Sequence, residues 1–444
     1  MNELNLQIQL KLSSSFDFIT RNIAIGGDTS RAVTVCWLDT LVSGDAVSRF
    51  VIRPLTDPIR FHGVDDIAEK LTDGSVYAAS VNRRMTAEDV VSDILNGYCA
   101  VIIGDTAVTL ETKSTDMRGV DAPKEEKVVK GGKDAFTEIM KTNLTLVRRR
   151  IRNSGLKINT VTVGSTTNTA AAVVYIEGVT DTRTVTEVQR RLCAISSGGA
   201  LTSAVIERSL SDCPASPFPQ IITTERSDKF CINLLEGRVG VIIDGLPVGY
   251  LAPAPFSQFF KVPEDAAGHF MISAVLTVLR YAAMVLTLLL PAFYTAVALY
   301  HQEMLPSKLM ESVIRSKQAV PFPTAVEITM MLIAFELIQE AGLRLPNPVG
   351  EIVGIIGALI IGQAAVEARI VSPVVVIVIA AAGIAGTVMP SQEMAAALRI
   401  ARFVLVIFAI VGGLFGVAIG VIALAYHLCS IEVFGADYIK WKRS

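Results

Sequence analysis

Beyond about residue 268 the chain turns apolar in runs long enough to cross a lipid bilayer, and this property constrains everything else it can be. A hydrocarbon core of about 30 Å needs roughly 20 apolar residues in a helix. Residues 271–300 meet that requirement, interrupted by Arg280 and Pro291, and 400–428 exceed it. A shorter candidate, 370–389, contains the apolar run 374–389. A fourth, 322–345, has the length but carries Glu327, Glu336, Glu340 and Arg344. Because 51% of all residues are hydrophobic, an all-α transmembrane helix bundle is expected over about 256–430, followed by a short basic tail at 431–444.

The charges inside these spans are informative. A charge at mid-membrane costs at least ~2.5 kcal/mol, so it must face protein or water. In the first span Ser273, Thr277, Arg280, Thr287 and Pro291 fall along one helical stripe, expected to face the interior. In the 322–345 span Glu336, Glu340 and Arg344 stand at i, i+4 and i+8, and Glu340 is expected to pair with Arg344. Together Arg280, Glu327, Glu336, Glu340, Arg344, Glu367 and Arg369 make a candidate intramembrane charge network, either an ion-pair scaffold or an ion path.

Between the charged span and the next lies 352–366, about 22 Å of apolar helix, which is short of a full crossing. Gly354, Gly357, Ala358, Ile361, Gly362 and Ala365 lie close together on it and are the candidate pore or gate residues. Small residues serve either for close helix packing or for lining a narrow pore without blocking it. With 352–366 re-entrant and the N-terminal region inside, four crossings return the basic tail to the cytoplasm, as the positive-inside rule prefers.

The N-terminal part has mixed charge and turn signals, and it echoes itself. TVCWLDTLV (34–42) is followed downstream by ILNGYCAVIIGD (94–105), and AVVYIEGVT (172–180) by LLEGRVGVIIDG (234–245). Aligning Asp39 with Glu177 and Gly97 with Gly237 leaves intervals of 58 and 60 residues, so both motif and spacing agree. The expected fold class is therefore α/β with two similar subdomains, 1–115 and 116–255, ahead of the helices. Gly97 and Gly237 are expected to end helices in the left-handed conformation, and Thr86 with Asp89, and Thr184 with Glu187, to cap helix starts. Residues 113–133 read as a linker and 134–153 as an amphipathic helix burying Phe136, Ile139, Met140, Leu144, Val147 and Ile151. Its basic end, Arg148, Arg149, Arg150 and Arg152, suits a helix C-terminus, or contact with anionic lipid or a neighbouring subunit.

Other functions find little support. A formal net charge of −2 gives no case for nucleic-acid binding. Six scattered cysteines, none in CxxC spacing, suit small core residues in a reducing compartment. Residues 1–12 do not read as a signal peptide, so the N-terminal region is expected in the cytoplasm. Gly131-Gly132-Lys133 lacks the strand and first glycine of a phosphate loop, and the four histidines stand alone. No catalytic, metal or cofactor-binding residue is assigned, and an enzyme is not expected.

Six stretches carry a family resemblance: SPFPQIITTERSDK (216–229), EGRVGVIIDG (236–245), YHQEMLP (300–306), VPFPTAVE (320–327), ELIQEAGLRLPNPVG (336–350) and IGQAAVEA (361–368). Taken together they resemble the A subunits of bacterial spore germinant receptors, the GerA family, and their relative, stage V sporulation protein AF. The resemblance implies a multi-pass protein of the inner spore membrane that acts with an integral-membrane B subunit and a lipoprotein C subunit. It also implies a homo-oligomer forming a nutrient-gated ion channel. Alternatives are an accessory channel like the sporulation relative, a non-conducting scaffold, or a secondary transporter. Family members commonly run through Phe-Gly-x-Pro-Tyr into a longer polar tail, whereas here Phe434-Gly435-Ala436-Asp437-Tyr438 lacks the proline.

Overall fold

The computed structural model describes residues 3–439 except 27, 58–64, 74–77, 115–121, 124–125, 127–130, 196–201, 345–356 and 358–359. It divides into two compact units, one of residues 1–211 and 221–253, the other of 212–220 and 254–444.

The first unit holds two five-stranded antiparallel sheets. Strands β1 (Phe18–Ile25), β2 (Asp28–Leu38), β3 (Val81–Arg84), β4 (Tyr98–Ile103) and β5 (Thr106–Glu111) pair in the order β1-β2-β4-β5-β3. Strands β6 (Leu156–Val163), β7 (Thr169–Ile176), β8 (Ile222–Thr224), β9 (Val239–Ile243) and β10 (Gly249–Ala252) pair in the order β6-β7-β9-β10-β8. The two orders are the same. The registers agree too: Phe18 faces Leu38 as Leu156 faces Ile176, a displacement of 138 residues for both partners. Thr34 faces Ile102 as Ala172 faces Ile242, displaced by 138 and 140. Leu38 and Ile176 are thus equivalent, as the motif spacing requires.

The strands are apolar on both faces because both faces are covered. In the first sheet Val33, Val35 and Trp37 join one core with Leu55, Ile67 and Leu71, while Cys36 and Leu38 join a second with α1 (Glu3–Leu12) and α2 (Ala87–Leu95). This is the period-two alternation of a strand. The thiol of Cys36 is pushed up to about 12 by burial. Thr86 caps α2 by accepting from the Asp89 amide, and Gly97 (φ +86°) and Gly237 (φ +89°) end their helices in the left-handed region, as expected. In the second copy the cap is Asp181 rather than Thr184, since α4 (Thr182–Cys193) starts earlier and Glu187 faces Arg190 and Arg191 instead.

The basic helix between the sheets, α3 (Met140–Arg150), is shorter than the 134–153 expected. Upstream residues find partners elsewhere: Ala135 bridges to Arg226, and the Asn143 side chain accepts from the Thr137 amide. Ile139 is exposed as a result. Arg148, Arg149 and Arg150 form the last turn, as suits a helix C-terminus, and all four cations have partners within the chain, although Arg150 and Arg152 stay exposed. Arg148, 1% exposed, donates to both Asp17 oxygens (2.9 and 2.7 Å), to Ser15 Oγ (2.7 Å) and to the Leu156 carbonyl (2.9 Å), so it clamps the start of β1 to the start of β6. Arg149 donates to the Ser114 carbonyl, Arg150 to Asp134 and Ser227, and Arg152 to Asn96. Burial raises the Asp17 carboxyl, but the Arg148 charge and hydrogen bonds from Arg148, Ser15 and Thr40 outweigh it and hold the group below its usual range.

The second unit is helical. Its main elements are α7 (Phe270–Tyr300), α8 (Ser307–Lys317), α9 (Thr324–Arg344), α10 (Pro373–Thr387) and α11 (Gln392–Ser430), after α5 (Ser203–Leu210) and α6 (Ser227–Leu235) of the first unit. Two of them, α7 and α11, are long and apolar enough to cross a membrane by length and composition. Helix α11 is not one rod, because Gly413 sits at φ 57°, ψ −141°, outside any helix. A Cβ on Gly420 would lie 2.8 Å from Leu405 Cδ2, and one on Gly416 would strike the Phe408 carbonyl. In a continuous helix residues eight and fifteen apart are separated by about 12 and 22 Å along the axis. The chain therefore folds back at Gly412–Gly413 into two packed arms, 392–412 and 414–430. The single span expected over 400–428 is two half-length pieces, and glycines at every fourth position (412, 416, 420) let their backbones close up.

Candidate functional site in the helical unit

Three polar places interrupt this apolar unit. The first joins α9 to the first arm of α11. Glu336 accepts from Arg399 (2.7 Å) and from Arg402 (3.3 Å). Arg402 is 1% exposed, and its Nε has no partner among the described residues. Arg399 and Arg402 stand one helical turn apart, so both reach one carboxylate. The side chain of Arg344 lies outside the described residues, so the Glu340–Arg344 pair lies there too.

The second place gathers side chains at the starts of α9 and α10 and near the end of α7. Glu327, fully buried, accepts from the Ser372 amide at 2.8 Å through Oε2. Its Oε1, the Ser372 hydroxyl and the Tyr294 phenol oxygen are all buried and lack a hydrogen-bond partner among the described residues. The phenol lies within interaction range of Ser372 and Glu327. Lys317, at the end of α8, donates to Thr324 Oγ1. Burial lowers its ammonium from the usual range, and the Glu327 charge offsets part of that.

The third place is the reversal in α11. An unpaired carbonyl at a helix break inside an apolar unit is costly. The Tyr300 hydroxyl, at the end of α7, donates to the Ile410 carbonyl at 2.6 Å, and the Tyr300 ring packs against Gly413.

The other predicted residues are placed as follows. Arg280 turns away from the polar interior to Asp265, within 2.5 Å, and to the Phe260 carbonyl, just before α7. Glu367 and Arg369 are exposed, and Arg369 ends the helical run 360–367 with φ 54°. Of the small-residue stripe, Gly354 and Ala358 lie outside the described residues. Gly357 faces Ile338 of α9, Gly362 is buried against Val376 of α10, Ile361 is 42% exposed, and the Ala365 carbonyl accepts the amides of Ile370 and Val371. The residues missed from sequence are Arg399, Arg402, Tyr294, Ser372 and Gly413. The i, i+3 arginine pair and the Gly412-Gly413 step were the available signals.

A family model described as the Bacillus/Clostridium GerA spore germination protein matches residues 6–442. The chain belongs to the GerA family. Among GerA relatives, spore germination protein KA of Bacillus subtilis is 36% identical over 97% of this chain and 79% of its own length. Spore germination protein GerLA of Bacillus cereus is 34% identical over 98% and 89%. An uncharacterised membrane protein of Bacillus subtilis, YfkQ, is 34% identical over 91% and 79%. The crystal structure of the N-terminal domain of the A subunit of the Bacillus megaterium spore germinant receptor GerK3 covers 57% of this chain and 94% of its own, at 27% identity and a TM-score of 0.44.

Proposed function

We propose that this GerA-family chain is the membrane subunit of a spore germinant receptor, and that copies of it assemble into a nutrient-gated ion channel in the inner spore membrane. The observation that carries the reading is the polar interior of an otherwise apolar unit: Glu336 with Arg399 and Arg402, and the oxygens around Glu327. Lipid would penalise each of these, and polar groups kept at membrane depth mark paths for ions or protons. The partners are an integral-membrane B subunit and a lipoprotein C subunit, and the soluble unit faces the cytoplasm.

Contacts at the helix ends support six crossings rather than four. The end of α7, the starts of α9 and α10 and the Gly413 reversal meet through Tyr294, Glu327, Ser372 and Tyr300. At the other end the segment before α7 meets the C-terminal tail, since the Phe256 amide donates to the Tyr438 carbonyl, the Tyr438 hydroxyl to the Pro219 carbonyl and the Phe434 amide to Asp212. The described end of α9 and start of α10 then lie toward opposite ends of the unit, which adds one crossing to the count between them. An even count puts the tail on the side where α7 begins. On this topology Gly357 and Gly362 pack between helices, and the gate falls to the exposed edge that includes Ile361.

Ion flux from liposomes containing the purified chain, alone and with its B and C subunits, at measured oligomer size, tests the proposal. Conductance by an assembled oligomer is expected. An assembled complex that stays tight to ions when nutrient is added would leave the non-conducting scaffold.

A further inference from the structure

Five buried side-chain atoms lack a hydrogen-bond partner among the described residues, and two of them, Glu327 Oε1 and Ser372 Oγ, belong to side chains brought together by the Ser372 amide, with a third, Tyr294 OH, within interaction range from a separate helix. Buried polar atoms without partners are rare in folded proteins, and a cluster of them asks for a ligand. Glu327 and Ser372 are both fully buried, so bulk water does not satisfy them.

We propose that Glu327, Ser372 and Tyr294 hold a single alkali-metal cation, sodium or potassium. The orphaned atoms are all oxygens, the donor type that hard cations take. One is a full carboxylate whose other oxygen is already held by the Ser372 amide, which fixes its direction. No cation lies within ion-pair distance of Glu327 among the described residues; Lys317 acts on it only through its charge and donates to Thr324. The segment leading to Ser372 is unwound: the helical run ends at Arg369 in the left-handed conformation, and no helix resumes until Pro373. Backbone carbonyls of an unwound stretch between two helices complete cation shells in membrane proteins, beside the negative end of the first helix. No group of three or more His, Cys, Asp or Glu side chains suited to a metal occurs among the described residues, which points away from a transition metal. The site is distinct from the proposed gate, and its occupancy does not depend on whether the oligomer conducts.

The test uses the full-length protein in detergent, melted in sodium, potassium or N-methylglucamine chloride at equal ionic strength, with binding of radioactive sodium and rubidium measured in parallel. A saturable rise in melting temperature with one alkali cation is expected. Tyr294→Phe and Ser372→Ala, each of which deletes one oxygen, should weaken the midpoint roughly tenfold or more, the cost of one contact to a charged group. Glu327→Gln, of the same shape, should abolish saturable binding. Equal melting in N-methylglucamine and in the alkali chlorides overturns the proposal and leaves a bound water. So does a titration that none of the three variants changes. If Glu327→Gln fails to fold, the two single-oxygen variants decide.

Discussion

Replacing Arg148 by methionine is the perturbation the fold of the soluble unit predicts most sharply. The guanidinium and the Asp17 carboxylate are 0% and 2% exposed, and the pair is joined by two charge-assisted hydrogen bonds. Removing one partner of such a pair leaves a buried charge uncompensated and costs about 3–5 kcal/mol. For a unit of this size that is roughly 6–20 °C in melting temperature. Trp37, 6% exposed in β2, reports the event by fluorescence once Trp441 is replaced by phenylalanine. Asp17→Asn should cost at least as much as Arg148→Met, because the guanidinium it leaves buried cannot shed its charge and one of the two oxygens met by Ser15 and Thr40 becomes an NH2. The double variant should recover at least about 2 kcal/mol relative to the sum of the two, in line with coupling inside one network. A coupling energy under about 0.5 kcal/mol, the range of exposed pairs, would refute the clamp.

The same pair sets a pH signature. The carboxyl of Asp17 is held below the value of 3.8 it would have when exposed. Its contribution is therefore complete above that value and is lost as pH falls through the lower value of the folded state. Acid unfolding of the parent should show this loss, and Arg148→Met should flatten it.

Four further outcomes are expected. In the native protein Cys193, Cys213 and Cys429 should react with a maleimide at pH 8 while Cys36, Cys99 and Cys231 stay protected, with six thiols reacting in denaturant, because burial raises all three core thiols, two of them to about 12. Gly362→Leu should lower protein abundance, since its Cβ would sit 3.2 Å from Val376, whereas Ile361→Asn should leave abundance unchanged and leak ions by wetting an apolar constriction. Tyr300→Phe should speed amide exchange around residue 413 by releasing the Ile410 carbonyl, a loss of about 1 kcal/mol. With native thiols replaced, cysteines at Ser391 and Ser430 should be labelled from one side of the membrane and one at Gln318 from the other; labelling of all three from one side would remove the six-crossing topology.

The duplicated soluble fold was legible because its signals are local. A glycine that ends a helix just before a Val/Ile strand states its geometry within ten residues, and two such signals at matched intervals state a repeat. Thr184 misled because Asp181, three residues earlier, is an equally good cap, and the side chain that wins depends on where the preceding strand releases the chain. The reversal at Gly413 was not legible from hydropathy. An apolar run of that length scores the same as one tilted helix or as two packed arms, and only the contact of Gly420 with Leu405 separates them. The partners of Glu336 stand 63 and 66 residues further on, beyond the reach of any i, i+4 rule, so no local pattern could name them.

Arg148 and Arg402 share a role that their surroundings in the sequence do not announce. Each lies in a short basic group that a sequence presents as a polar face, yet each is 1% exposed and joined to a carboxylate from a distant segment. Desolvating an arginine and its partner gains little net stability over an apolar pair of the same volume. What such a pair supplies is direction: the guanidinium accepts few geometries, so the elements bearing the two charges are held in one register. In the soluble unit that fixes the start of β1 against the start of β6. In the helical unit it fixes α9 against the first arm of α11, where glycines and apolar side chains alone would permit sliding. An arginine run beside apolar residues that recur at helical spacing is therefore better searched for an acidic partner elsewhere in the chain before it is assigned to lipid.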